Sequence, residues 1–309
     1  MIPLALITGF LGSGKTTLLR RAIEASRGRK LACLVNEFSP LDIDGRRLGE
    51  VSDSVICLPG GSIFCRCLVT AFINQLKDIA ELHDDPPGSL EGLVIEASGI
   101  ADPRVVGRLL EETRLDQVYR LGRVVSIVDP GTFEKLLHTL PNIAAQVEAS
   151  DLAIVNKADL FDEAALGRTE AAIRSIQPAI RVVRASYCQA DVDLFASITH
   201  PRIGGEYAPC RDEYYATETF ATDRPVDLDR FIRQAAAIGD DLYRLKGFAW
   251  TGRDRMYIES VATGVEVRPA AGTGERTELA LIFRPSARPR IQALLAEACH
   301  ARSSQSRPL

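Results

Sequence analysis

Histidine is scarce in this chain, with four in 309 residues and no two adjacent, which excludes a histidine-rich metal store. No run approaches the ~20 apolar residues of a membrane-spanning helix. No basic segment followed by an apolar stretch opens the chain in the manner of a secretory leader. Basic excess is missing too: 37 Lys and Arg stand against 41 Asp and Glu, a net charge of −4. Nothing is therefore left over to displace the counterions of a nucleic acid. The seven cysteines are odd in number and scattered, so they read as reduced thiols and not as a disulfide framework. Internal repeats are also lacking. These absences lead to the expectation of a cytoplasmic protein with neither a membrane nor a nucleic-acid partner. Hydrophobic content of 46% and charged content of 25% are those of an ordinary globular protein. The length suggests two domains, at roughly 100–200 residues each.

What is present begins with Gly9-Phe10-Leu11-Gly12-Ser13-Gly14-Lys15-Thr16, which fits the phosphate-loop pattern G-x-x-x-x-G-K-[ST] at every fixed position. Pro3-Leu4-Ala5-Leu6-Ile7-Thr8 before it suits a buried strand, and Leu18, Leu19 and Ile23 after it recur at helical spacing. Glycines let backbone N–H groups curl around phosphate oxygens, and a helix starting there adds its positive end. Lys15 is expected at the β- and γ-phosphates and Thr16 on Mg²⁺.

A second apolar strand, residues 30–36, opens into an acidic loop in which Glu37 and Asp42 are candidates for orienting water or contacting the metal. A solvated loop is the alternative. Val55-Ile56-Cys57-Leu58 forms a short strand before the glycine turn that carries Cys65, Arg66 and Cys67. Leu68, Phe72, Leu76, Ile79 and Leu82 then repeat at helical spacing until Asp84-Asp85-Pro86-Pro87-Gly88. A helix start and the neighbouring Arg66 both lower a thiol pKa, so Cys65 and Cys67 are candidate metal ligands. Two thiols alone make an incomplete zinc site, and simple packing under the turn is the other reading.

Leu93-Val94-Ile95-Glu96-Ala97-Ser98-Gly99 is a buried strand ending in an acid and a glycine, which places Glu96 beside Mg²⁺ and the Gly99 N–H near the γ-phosphate. Strands follow at residues 123–129 and 152–155, the latter running into Asn156-Lys157-Ala158-Asp159. An N-K-x-D at a strand end, downstream of a phosphate loop, decides the base. A carboxylate at Asp159 accepts from both N1–H and the 2-amino group of guanine, donors that adenine lacks at those positions. A helix over residues 163–176 and a strand over 180–185 follow, and Ala185-Ser186 is placed to brace the guanine.

Alternating strands and helices imply an α/β, doubly wound, mostly parallel sheet over residues 1–200, with its ligands at the carboxyl ends of the strands. Glu37, the turn over residues 60–67, Glu96 and Asn156 should share that rim. Residues 201–213 read as a linker. Short strands at 214–220, 242–250, 255–261, 265–268 and 278–283, with helices at 228–238 and 289–299, suggest a smaller C-terminal α+β domain over 214–300. Residues 301–309 read as a disordered tail.

The chain resembles the CobW-like GTPases, relatives of the urease and hydrogenase nickel-loading GTPases. The resemblance rests on GFLGSGKTT at residues 9–17, which adds Thr17 to the loop, VNEF at 35–38, IEASGIADP at 95–103 and NKADL at 156–160. Leu242-Tyr243-Arg244-Leu245-Lys246-Gly247-Phe248-Ala249-Trp250 resembles the strand that opens the family's C-terminal domain. It implies GTP and GDP binding with Mg²⁺, and GTP hydrolysis coupled to delivering a metal, Zn or Co among the candidates, or a metal-containing cofactor to a target enzyme. Lys15, Glu37 and Glu96 are the implied catalytic set; Gly9, Gly12, Ser13, Gly14, Thr16, Thr17, Gly99, Asn156, Lys157 and Asp159 complete the nucleotide site. The family's G-C-x-C-C pattern is altered, because Gly61 is followed by Ser62-Ile63-Phe64-Cys65, with Cys67 added. That change motivates a second reading, a GTP-dependent loader of a cofactor-bearing enzyme that holds no free metal. A small-molecule phosphotransferase is a third, for which N-K-x-D has no role.

Overall fold

The structure, a computed structural model, describes residues 1–37, 55–59, 64, 68–198, 205–207, 213–261, 264–270 and 274–298, with Glu37, residues 55–59 and Val261 described by backbone alone. Asp42, Cys65, Arg66, Cys67, most of the 201–213 stretch and the 301–309 tail lie outside the described residues. The chain groups into two compact units that divide between residues 211 and 212.

In the first unit seven strands form one sheet: β1 (Ile2–Thr8), β2 (Leu31–Glu37), β3 (Val55–Pro59), β4 (Gly92–Glu96), β5 (Tyr119–Val128), β6 (Leu152–Val155) and β7 (Arg181–Arg184). Their order is β3-β2-β4-β1-β5-β6-β7, and every pairing is parallel. Helices α1 (Lys15–Ala25), α2 (Val69–His83), α3 (Val106–Glu112), α4 (Pro130–Leu137), α5 (Pro141–Glu148) and α6 (Glu163–Ile176) occupy the crossovers. A parallel sheet needs apolar residues on both faces, and the central strands supply them by alternation. Leu4 and Leu6 of β1, Leu34 of β2 and Leu93 and Ile95 of β4 join one core cluster, with Phe72, Leu76 and Ile79 of α2 and Leu109 of α3. Ala5, Ile7, Cys33, Val35 and Val94 join a second cluster with Leu18 and Leu19 of α1. Each of these leucines and isoleucines adds about 1.5–3 kcal/mol relative to exposure.

Most sequence-derived elements recur within a residue or two. Leu82 departs from the expected apolar face: it is 73% exposed, because the buried stripe of α2 ends at Ile79. Strand β5 starts at Tyr119, earlier than expected. Helices α3, α4 and α5 were not legible in the sequence. Each has only seven or eight residues, about two turns, too short to display an amphipathic period.

The second unit is a five-stranded antiparallel sheet, in the order β11-β10-β9-β12-β8, built from β8 (Ala216–Thr222), β9 (Leu242–Trp250), β10 (Arg255–Val261), β11 (Gly264–Pro269) and β12 (Thr277–Phe283). Helices α7 (Leu228–Ile238) and α8 (Arg288–Ala298) bury Phe231, Ala235, Ile291, Leu294 and Leu295 with Leu245, Ala249, Ile258, Leu279 and Leu281 of the sheet. The Asp227 carboxylate caps α7 by accepting from the Arg230 N–H at 3.0 Å.

Phe64, just before α2, is completely buried in the first core cluster and meets Phe72 edge-on, with ring centroids 5.8 Å apart. Phe64→Ala should therefore cost about 3–5 kcal/mol by leaving a cavity. Phe64→Leu, which keeps most of the volume, should cost under about 1.5 kcal/mol. Urea denaturation followed by far-UV circular dichroism measures both; equal losses would contradict this packing role.

Candidate functional site

Parallel pairing puts the carboxyl ends of all seven strands on one edge, and the residues singled out by motif collect there. The turn from β1 into α1 passes through three left-handed glycines, Gly9 (φ 133°), Gly12 (φ 74°) and Gly14 (φ 118°). At two of them space as well as angle demands glycine. A Cβ on Gly9 would fall 2.3 Å from the Ile127 carbonyl oxygen, and one on Gly14 would fall 2.5 Å from Asn156 Nδ2. Helix α1 opens at Lys15 with no side-chain cap, so its first N–H groups face the loop without helical acceptors.

Lys15 is buried, and its Nζ reaches back five residues to donate to the Phe10 carbonyl at 3.1 Å. Ser13 Oγ is also buried and has no hydrogen-bond partner among the described residues. An orphaned hydroxyl inside a glycine cradle, beside a buried ammonium, fits an anion with several acceptor oxygens. Thr16 Oγ1 donates to Glu96 Oε1 at 2.9 Å. Hydroxyl and carboxylate oxygens held this close are the hard donors that Mg²⁺ takes. Thr17 follows in α1, partly buried.

Glu96 ends β4 and pairs in register with Ile7 of β1 and Val35 of β2. The backbone of Glu37 ends β2 on the same edge, opposite Pro59 of β3. Beyond Glu96 the chain presses onto the phosphate loop: a Cβ on Gly99 would lie 2.7 Å from the Leu11 nitrogen. Two side chains not singled out from the sequence hold this segment. Asn36 Oδ1 accepts from the Ser98 N–H at 3.3 Å, and Gln146 Nε2 of α5 donates to the carbonyls of Gly99 (3.0 Å) and Ala101 (3.3 Å). Sequence reasoning missed both residues as site elements. Asn36 lay inside the VNEF motif; Gln146 gave no signal. Arg104, the next cation along, is committed: it pairs with Asp102 at 2.7 Å and Glu148 at 2.8 Å, and these carboxylates hold its pKa above the usual arginine range.

The N-K-x-D turn arrives from β6. Asn156 is buried and spends its amide on two other loops: Nδ2 donates to the Ser13 carbonyl at 2.8 Å, while Oδ1 accepts from the Cys188 N–H at 2.8 Å. Lys157 is left-handed (φ 59°), and its Nζ pairs with Asp129 Oδ2 at 2.6 Å. Asp159 is exposed; its N–H donates to Ser186 Oγ at 3.3 Å, and the Ala158 N–H donates to the Ala185 carbonyl at 3.0 Å. Ala185 and Ser186 thus brace the loop carrying Asp159. Cys188 is a further residue that the sequence reading passed over.

Among the described residues no three His, Cys, Asp or Glu side chains gather as a metal site. The two cysteines with described side chains, Cys33 and Cys188, are free and buried, and burial pushes each thiol up to about 12. Both are neutral thiols and not the thiolates that a soft metal binds.

Comparison with known proteins adds two family matches. The CobW/HypB/UreG nucleotide-binding domain model matches residues 3–184, and the cobalamin synthesis protein cobW C-terminal domain model matches residues 215–299. The chain is 31% identical over 219 residues to the zinc chaperone CobW of Pseudomonas aeruginosa, covering 60% of this chain and 56% of that relative. It is 27% identical over 268 residues to the zinc chaperone YjiA of Escherichia coli, covering 81% and 82% respectively. The Zn(II)-bound YjiA GTPase structure from E. coli superposes with a TM-score of 0.45 at 22% identity, over 96% of this chain and 98% of that one.

Two outcomes are expected. Gly14→Ala should weaken nucleoside triphosphate binding by at least about tenfold, because the new methyl displaces Asn156 from the loop at a backbone angle that L residues resist; equilibrium titration measures it. Alkali should destabilise the fold. A thiol pKa raised from 9.0 to about 12 contributes stability that is complete below pH 9 and is lost as pH rises toward 12. The slope is up to about 1.4 kcal/mol per pH unit for each thiol. Denaturation midpoints between pH 8 and 10.5 test this, and Cys33→Ala should remove one thiol's share of the slope.

Proposed function

This chain belongs to the CobW/HypB/UreG family, and on that premise we propose that it is a GTPase that couples GTP hydrolysis to delivery of a metal or metallocofactor to a target metalloprotein. One observation carries the nucleotide half: the 2.8 Å bond from Asn156 Nδ2 to the Ser13 carbonyl, which makes the base-reading turn and the phosphate loop a single site. A phosphate loop alone serves any nucleoside triphosphate; joined to an exposed Asp159 carboxylate it selects guanine.

The geometry supports the following division of roles. Lys15 leaves the Phe10 carbonyl for the β- and γ-phosphates, and the α1 N-terminus and the Ser13 hydroxyl add donors around them. Thr16 and Glu96 would hold Mg²⁺, whose charge when bound would offset that of the phosphates. Glu37, at the end of the neighbouring strand, positions the attacking water. Asn36 and Gln146 fix the Ser98-Gly99 backbone against the phosphate loop. Arg104 is engaged by Asp102 and Glu148, so this cation is not offered to the γ-phosphate; slow turnover of the chain alone, with a partner completing the site, is part of the same proposal.

The cargo is the more specialised half. Relatives named zinc chaperones support zinc as cargo, and Cys65 and Cys67 are the residues assigned to it. A second reading is favoured by Phe64. In the family's cysteine pattern its place is a ligand, yet here it is a core side chain. On that reading GTP drives the loading of an enzyme already bearing its cofactor. Zn²⁺ titration with and without GTP separates the two: sub-micromolar binding lost on replacing Cys65 and Cys67 together marks a carrier, and no binding marks a loader. No helix among the described residues is long and apolar enough to cross a membrane.

Asp159→Asn tests the base assignment. GTP affinity should fall about 10- to 100-fold, the equivalent of one or two charge-assisted hydrogen bonds, while affinity for XTP rises. Unchanged guanine preference in this variant would sink the assignment.

A further inference from the structure

The turn after β7 holds two consecutive left-handed residues that are not glycine, Tyr187 (φ 53°) and Cys188 (φ 54°). Side chains resist this conformation, and it persists where surrounding contacts over-determine it. Here such contacts are present on both residues. The Cys188 N–H donates to Asn156 Oδ1 at 2.8 Å, the Cys188 thiol donates to the Gly14 carbonyl at 3.4 Å, and the Tyr187 carbonyl accepts from Arg21 Nε of α1 at 2.6 Å. Asn156 in turn donates to the Ser13 carbonyl. A closed ring results, in which two successive carbonyls of the phosphate loop, Ser13 and Gly14, are held through Asn156 and Cys188, with the helix that follows the loop tied to the same turn.

We propose that this turn is a latch joining the base-reading loop to the phosphate loop, and that Cys188 is its positioning residue, acting on nucleotide through Asn156 and Gly14 without touching it. The assignment rests on the reading of Asn156 and Asp159 as the base-reading pair. Its physical basis is preorganisation. When the two loops are one body, a nucleotide binding at base and phosphate finds both ends in place; when they are separate, it must order one against the other at a cost in affinity. The thiol supports this role and not a reactive one, because it is buried and its single donor is spent on Gly14. The Ser186 bond to the Asp159 N–H extends the same turn to the guanine-facing carboxylate.

The test uses the full chain and GDP carrying a methylanthraniloyl fluorophore. Cys188→Ala should raise its dissociation rate and Kd by about 3- to 10-fold, the range for loss of one neutral hydrogen bond. In GTP hydrolysis the loss should appear in KM, with kcat moving less than about twofold. Cys188→Ser, whose hydroxyl can donate to the same carbonyl, should recover most of the affinity. Wild-type release from Cys188→Ala, or a serine variant as impaired as the alanine one, overturns the proposal. Should Cys188→Ala fail to fold, Arg21→Ala carries the test from the surface: faster release supports the latch, and unchanged release refutes it. Competition of GDP against ADP on the wild-type chain examines the guanine reading separately, because a latch joining base and phosphate loops would change release of whichever nucleotide binds.

Discussion

The site depends on a constraint of space. Between the end of β1 and the start of α1 the backbone runs so close to the Ile127 carbonyl and the Asn156 amide that a methyl group at Gly9 or Gly14 would overlap them. Backbone N–H groups can line a phosphate-sized hollow there because no side chain competes for the volume. That close approach also brings Asn156, 143 residues beyond Ser13, within hydrogen-bond reach of the loop. A looser loop would have to be bridged by water or longer side chains, and the two halves of the nucleotide site would lose their fixed separation.

Electrostatics then divides the rim into tasks. Buried charge is costly unless it is paired or hydrogen-bonded, and the site meets the condition differently at each position. Lys15 rests on its own loop's carbonyl and Thr16 on Glu96, bonds that an arriving triphosphate and cation can replace. Lys157 and Arg104 are held by carboxylates, Asp129 for the one and Asp102 with Glu148 for the other. The first pair offers exchangeable contacts; the second pair fixes the turns around them.

The parallel sheet and its rim were legible because the central strands are almost uninterrupted apolar runs, and such runs at the start of glycine or acidic turns identify a parallel sheet with its ligand edge; the order of the strands within it was not. The short helices α3, α4 and α5 were not, for lack of turns to show a period. Gln146 illustrates the same limit at the site. An amide that holds the Gly99 and Ala101 carbonyls from two turns of helix is invisible until the helix is placed. Cys188 was hidden for another reason: its function in the turn comes from backbone angle and one buried donor, neither of which residue type reveals. Asn156 and Thr16, by contrast, stand out in patterns that mark them as site residues, although the bonds from Asn156 to Ser13 and Cys188 were not foreseen.

Phe64 bears on the cargo through coordination arithmetic. Zinc is held by four ligands in a closed site and by at least three protein ligands in an open one. The sequence before α2 carries two thiols, Cys65 and Cys67, and immediately ahead of them the chain has put a phenyl ring, Phe64, into the core where the family pattern has a further cysteine. The ring is fully buried against Phe72 in the first core cluster. Cys33 and Cys188, neutral and enclosed in the other core cluster, cannot replace it. Among the described residues no group of three His, Cys, Asp or Glu side chains stands ready to take its place, and two thiols by themselves fall short of either kind of zinc site.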